Sequence, residues 1–75
     1  MQMTTHTTPD LYFASAIMSL GAHLEGKERK GAKVVFTFSG VDPKWEMAWV
    51  NGSLMTNARA FANAIQALKA LIHQQ

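Results

Sequence analysis

The stretch VVFTFS at residues 34–39 decides the fold, because apolar and polar side chains alternate along it. Successive side chains on a strand point to opposite faces of a sheet, so Val34, Phe36 and Phe38 share one face. β-branched and aromatic residues also favour strands. The stretch therefore predicts a β-strand with an aromatic face turned into the core, and we expect it to end at Ser39-Gly40.

The residues that precede this strand predict its antiparallel partner. Residues 23–29 have a weaker and more polar strand pattern, which Gly26 interrupts. Arg29-Lys30-Gly31 suits a tight turn, because Gly31 tolerates a positive φ. Together the two segments predict a β-hairpin.

A helix is predicted before the hairpin. Thr8 can cap it, Pro9 suits the first turn because its missing N–H would be unpaired there, and Asp10 favours the positive helix end. Gly21 can end the helix in the left-handed conformation. One half of the helical wheel holds the apolar residues Leu11, Phe13, Ala14, Ile17, Met18 and Leu20.

A short helix with two tryptophans is predicted after the hairpin. Asp42-Pro43 repeats the cap-then-proline signal, and Gly52 closes the segment. Trp45 and Trp49 are four residues apart, so both lie on the same side of this helix.

A long C-terminal helix completes the predicted elements. Asn57 (or Thr56) can cap it, and it extends to about His73. Its apolar arc is about 160° wide, which favours contact with two neighbours, the sheet and the first helix. Residues 53–56 fit either a short third strand or extended chain.

These elements predict an α+β fold: an N-terminal helix, an antiparallel β-hairpin, a short helix and a long C-terminal helix, with the helices packed on one face of the sheet. Residues 1–8 are expected to be a flexible tail, and residues 9–75 a single domain. The chain has 75 residues, 48% of them hydrophobic, which is too few for a second domain or a deep active site. The absence of cysteine excludes disulfide scaffolds and Cys-ligated metal folds.

Catalytic and cofactor sites have little support in the sequence. His23 and Glu25 would share a strand face, the minimum for an acid–base pair, but a solvated strand face is the simpler explanation and the one we favour. The three histidines lack a metal-ligand spacing, and the glycines are dispersed rather than grouped into a phosphate loop. We therefore expect no enzyme, no cofactor, no metal and no small-molecule ligand. The first residues lack a secretory signal and no apolar segment reaches membrane-spanning length, so a cytoplasmic protein without membrane contact is expected.

Two surfaces are candidates for binding. One is the basic tip of the hairpin, which could contact nucleic-acid phosphates or simply keep an edge strand exposed and unpaired. The other is a protein-binding surface, formed either by the uncharged outer side of the first helix, which could also bind a second copy of the chain, or by the tryptophan pair. Burial of the first helix and packing of the tryptophans over the core are the structural alternatives. The nucleic-acid candidates are Lys27, Arg29, Lys30 and Lys33, and the protein-binding candidates are Tyr12, Ser15, Ser19, Trp45 and Trp49.

The chain also resembles a known family. The runs PDLYFAS at 9–15, GKERKG at 26–31 with VVFTF at 34–38, and WVNG at 49–52 followed by NARAF at 57–61 resemble a small family of unknown function from bacteria, phages and plasmids. The resemblance extends from Thr8 to Ile72 and departs at Lys27, where the relatives would carry an aliphatic residue. It implies this order of elements and a non-enzymatic protein.

The sequence as a whole predicts a small binding module whose partner is a protein, with a homodimer as one form. Nucleic-acid binding through the hairpin tip is the alternative.

Overall fold

The structure, a computed structural model, describes residues 4–73. These residues form an α+β domain of three antiparallel strands and three helices, with helices packed on the sheet. The sequence correctly predicted this class and the packing of helices on the sheet. The elements in chain order are β1 (Thr4–Thr8), α1 (Leu11–Ser19), β2 (His23–Lys30), β3 (Lys33–Val41), α2 (Lys44–Asn51) and α3 (Ala58–His73).

β3 is the central strand, and the strand order is β1-β3-β2. β2 and β3 are joined by Gly31-Ala32, and Gly31 has a φ of 64°, as expected for a tight turn. Phe36 and Phe38 on β3 are buried, while Thr37 between them is only half-buried on the opposite face. The inner face of β3 is therefore the floor of the core.

The third strand is at the N-terminus, where a flexible tail was expected. Residues 4–8 form β1, in which His6 pairs with Phe38 and Thr8 pairs with Phe36. Threonine is β-branched and suits an edge strand, whose exposed positions do not need apolar side chains. The prediction of a tail was therefore wrong for residues 4–8, and its residues 1–3 lie outside the described part of the chain.

Residues 53–57 form neither helix nor strand, so the alternative of a short third strand at 53–56 is wrong. β3 is also longer than expected, because it continues past Gly40 to Val41. Gly40 has a φ of 69° and lies where β3 has one residue more than β1, which is the geometry of a glycine β-bulge. The bulge lets Val41 return to the core, where it is 3% exposed.

Side chains cap α1 and α3, whereas α2 has Pro43 at its N-cap position and no side-chain cap. Asp10, not Thr8, caps α1: its Oδ1 accepts hydrogen bonds from the N–H groups of Tyr12 and Phe13 at 2.9 and 3.2 Å. Thr8 cannot take this position because it is the last residue of β1. Asn57 caps α3 as predicted, since its Oδ1 accepts from the N–H of Ala60 at 2.9 Å.

The core lies between the inner face of the sheet and α1 and α3. Ile17 from α1 and Leu68 from α3 are both fully buried against the aromatic residues of β3. Within residues 4–73, no helix has the length and apolar character needed to cross a membrane.

Candidate protein-binding surface

α1 is buried along the middle of its length, from Phe13 to Ile17, which favours the structural alternative for its uncharged side at Ser15. Ser15 is fully buried and its Oγ donates to the carbonyl of Leu11 at 2.8 Å. Ala16, which like Ser15 is on the uncharged side of the helix, is 1% exposed, so a second residue of that side is covered as well. Burial therefore explains why α1 has no charged residue, and a Ser15→Arg change would test folding rather than an interface.

The other two candidates on α1 have different surroundings. Ser19 is half-buried, and its Oγ lies 2.6 Å from the Oγ1 of Thr56 and 2.6 Å from the carbonyl of Ala16, which ties the end of α1 to the segment after α2. Tyr12 is 56% exposed and is the α1 residue from the predicted set that a partner can reach.

The two tryptophans pack over the core. Trp45 and Trp49 are both half-buried against the central apolar cluster. The ring of Trp49 is 5.7 Å from that of Phe13, and His6 meets Phe13 edge-on at 5.4 Å. Most of the surface of both side chains is therefore buried in the fold, which agrees with the alternative that the tryptophans pack over the core.

The opposite side of α2 carries exposed apolar side chains that are not among the predicted binding residues. Met47 is 64% exposed and Val50 is 74% exposed. An open groove of about 300 Å³ at the C-terminal end of the same helix is lined by Trp49, Gly52 and Leu54. We refer to these five residues as the α2 surface. In the sequence, Met47 and Val50 are at i, i+3 spacing and so lie on the side of the helix away from Trp45. This spacing could have indicated an exposed apolar pair.

The segment that follows α2 extends this apolar character. Met55 is 82% exposed, the highest value among the large apolar residues of the described chain. Methionine is flexible and polarisable, and it is common on surfaces that accept apolar partners.

The four cations of the hairpin are not brought together. Lys27 pairs with Phe36 and Arg29 with Val34, so both lie on the face of the sheet that carries the helices. The Lys27 Nζ donates to the carbonyl of Leu71 at 2.6 Å, and the Arg29 Nη2 donates to the carbonyl of Ile72 at 3.3 Å. These are among the last carbonyls of α3, which have no hydrogen-bond partner within the helix. They form the negative end of the helix dipole, which favours a nearby cation.

Lys30 and Lys33 face each other across the turn and are exposed. Neither side chain is hydrogen-bonded to any of residues 4–73, although the two residues are paired through the β2–β3 ladder. The predicted four-residue nucleic-acid site is thus divided, with two cations bound to α3 and two at the tip.

His23 and Glu25 do not line the groove. Glu25 is the extra residue of a bulge in β2, and its Oε2 accepts from the hydroxyl of Ser39 at 2.5 Å. Both residues are exposed on the sheet, away from Trp49 and Leu54. Among residues 4–73, no three His, Asp or Glu side chains are grouped closely enough to hold a metal ion.

Comparisons of the chain with protein-family models, with curated proteins and with solved structures found no match. A functional proposal for this chain therefore depends on the geometry of its own residues.

Proposed function

We propose that this chain is a non-enzymatic binding module that binds another protein through the α2 surface. The observation that carries the proposal is the exposure of Met47 and Val50 on the helix that also ends at the groove of Trp49, Gly52 and Leu54. A cytoplasmic location and kinship with the small family of unknown function are further parts of this proposal, and they rest on the sequence patterns alone.

Burial of apolar side chains supports the choice of this surface. Covering a methionine or valine side chain on binding contributes about 1.5–3 kcal/mol when the side chain becomes fully buried. A groove with an aromatic wall and no side chain at Gly52 can accept an apolar side chain from a partner, which is the usual arrangement of an interface hot spot. The expected occupant is a protein segment that places an apolar side chain in this groove.

Charge on α2 supports an apolar rather than an electrostatic contact. The helix carries Lys44 and Glu46 as its charged residues, and they are of opposite sign. Binding through this surface should therefore vary little with salt concentration, because screening acts mainly on exposed charges.

The alternative, nucleic-acid binding at the hairpin tip, has less support. Lys30 and Lys33 are the two cations of the predicted set that are not bonded to α3, and Glu28 is nearby on the same strand. Two phosphate contacts would give a weak complex, because both the affinity and its salt dependence grow with the number of phosphates contacted. A mobility shift at low salt that disappears in Lys30→Glu would favour this alternative over the α2 surface.

Site-specific photocrosslinking tests the proposal. A photoreactive amino acid at position 50 in cells of the source organism should give a covalent adduct with one protein, and the same residue at Gln66 of α3 should not. Both positions are exposed on helices, so Gln66 is a matched control. The purified adduct partner should then bind the wild-type chain about tenfold or more tightly than Val50→Glu, since the change places a charge in an apolar interface.

Two results would contradict the proposal. One is an equal set of adducts from positions 50 and 66, which indicates random encounters. The other is a purified partner whose affinity is the same for wild type and Val50→Glu, because the crosslink would then report proximity and not the binding surface.

A further inference from the structure

The two edges of the sheet differ in chemistry. β2 is an edge strand with five charged residues and a bulge, both of which hinder pairing with another strand. β1 is the other edge, and Thr4–Thr8 contains no charged side chain and no proline. The bulge in the β1–β3 pairing adds a residue to β3 and not to β1. The charged residues of β2 are Glu25, Lys27, Glu28, Arg29 and Lys30.

β1 is open along its outer side. Among residues 4–73 it pairs with β3 and with no other strand. Thr4, Thr5 and Thr7 are exposed, and His6 is half-buried. An edge strand with these properties presents backbone N–H and C=O groups that can pair with a further strand.

The sequence of β1 is the same in both directions: Thr-Thr-His-Thr-Thr. In an antiparallel pair of two such strands centred on His6, Thr5 lies opposite Thr7 of the second copy, and Thr7 lies opposite its Thr5. A two-fold symmetric interface requires this kind of self-complementarity. We propose that β1 pairs antiparallel with β1 of a second copy of this chain, forming a dimer with a continuous six-stranded sheet.

The orientation of the side chains is compatible with this pairing. Thr7 faces away from the helices, where its Oγ1 lies 3.2 Å from that of Thr37. His6 faces the helices and contacts Phe13. Residues that pair across antiparallel strands share a face, so the pairing places both helical layers on one side of the joined sheet.

The β1–β1 contact involves few residues, so the affinity of the dimer is low. Thr8 is 5% exposed and is largely covered within its own protomer, so pairing is centred on Thr5, His6 and Thr7. A contact of this size is below the area of a stable, permanent interface. The dimer therefore forms reversibly as the protein concentration rises toward the millimolar range.

Charged substitutions at the exposed residues Thr5 and Thr7 test the register of the β1–β1 pairing. In Thr5→Lys/Thr7→Lys, each lysine lies opposite a lysine of the second copy, so the dimer dissociation constant should rise by about tenfold. In the matched variant Thr5→Lys/Thr7→Glu, each lysine lies opposite a glutamate, so dimer formation should return to the wild-type level or exceed it. Analytical ultracentrifugation over a concentration series, starting from the 8.3 kDa monomer, measures all three proteins.

Both substitutions are at exposed positions on the outer face, so the folded monomer is expected to be kept, and circular dichroism checks it. A wild-type chain that stays monomeric at millimolar concentration would overturn the proposal. So would a dimer that is equally strong in both double variants, since it must then use another surface. Val50→Glu should leave the dimer unchanged, which separates this result from the test of the α2 surface.

Discussion

α2 and α3 both contribute apolar side chains to the same small core, but they do so very differently. α3 is 16 residues long, and its Ala64 and Leu68 are buried. α2 is 8 residues long, and none of the side chains in Lys44–Asn51 is fully buried. The C-terminal end of α3 is in addition bound by Lys27 and Arg29 from β2.

This difference separates apolar residues needed for folding from apolar residues that are free for binding. A chain of this size has few large apolar side chains beyond those required by its core. Placing Met47 and Val50 in solvent gives no stability to the monomer, while a partner that covers them would gain from their burial. The comparison predicts that substitutions in α3 reduce stability and those on the outer side of α2 do not.

The largest expected effect is at Leu68. Leu68→Ala should lower the free energy of unfolding by about 2–5 kcal/mol, because it removes buried methyl groups and leaves a cavity beneath the sheet. Val50→Ala should change it by about 0.5 kcal/mol or less, as is usual for an exposed position. Urea unfolding followed by tryptophan fluorescence measures both, and equal losses in the two variants would invalidate the distinction between the helices.

A smaller effect is expected at the C-terminal end of α3. Lys27→Met should cost about 0.3–1 kcal/mol, because the carbonyl of Leu71 loses a charged donor at the negative end of the helix. High salt should reduce the difference between this variant and wild type, since the contact is exposed.

Lys30→Met is the matched control, because it removes the same charge from the same strand without a contact to α3. A loss of stability in Lys30→Met equal to that in Lys27→Met would show that net charge, and not the contact with Leu71, is responsible.

The elements that were predicted correctly are those in which local pattern and tertiary environment agree. The alternation at 34–38 predicted the aromatic face of β3, because its inner positions are buried by the helices and its outer ones are not. Gly31 in the hairpin turn and Asn57, one of two candidate caps of α3, were also predicted, because both depend on backbone geometry within a few residues.

The elements that were missed depend on contacts far along the chain. β1 has no apolar alternation, and it is a strand because β3, more than 25 residues away, pairs with it. Lys27 lies on the face of the sheet that carries the helices for the same kind of reason. Its partner is the carbonyl of Leu71, which no local pattern around Gly26 can indicate.

The candidate site was predicted in part: Trp49 was among the predicted residues, and Met47, Val50, Gly52 and Leu54 were not. The tryptophans indicated α2, whereas Met47 and Val50 are exposed on the other side of that helix. Ser15 was chosen because small hydroxyl residues without charge suit an interface, but the same residues suit a helix buried between layers. Composition alone does not distinguish these two environments.

The smallest expected effect on stability is from polar substitution of the α2 surface. The double variant Met47→Gln/Val50→Thr keeps nearly the same side-chain volumes and should change the free energy of unfolding by about 0.5 kcal/mol or less. The same variant should bind the protein partner of the α2 surface at least about tenfold more weakly, because two apolar contacts are replaced by polar groups that need hydrogen bonds when covered. Isothermal titration calorimetry and urea unfolding of one preparation measure the two quantities together. A loss of stability as large as the loss of binding energy would mean that these side chains belong to the fold, and α2 would then differ from α3 only in length.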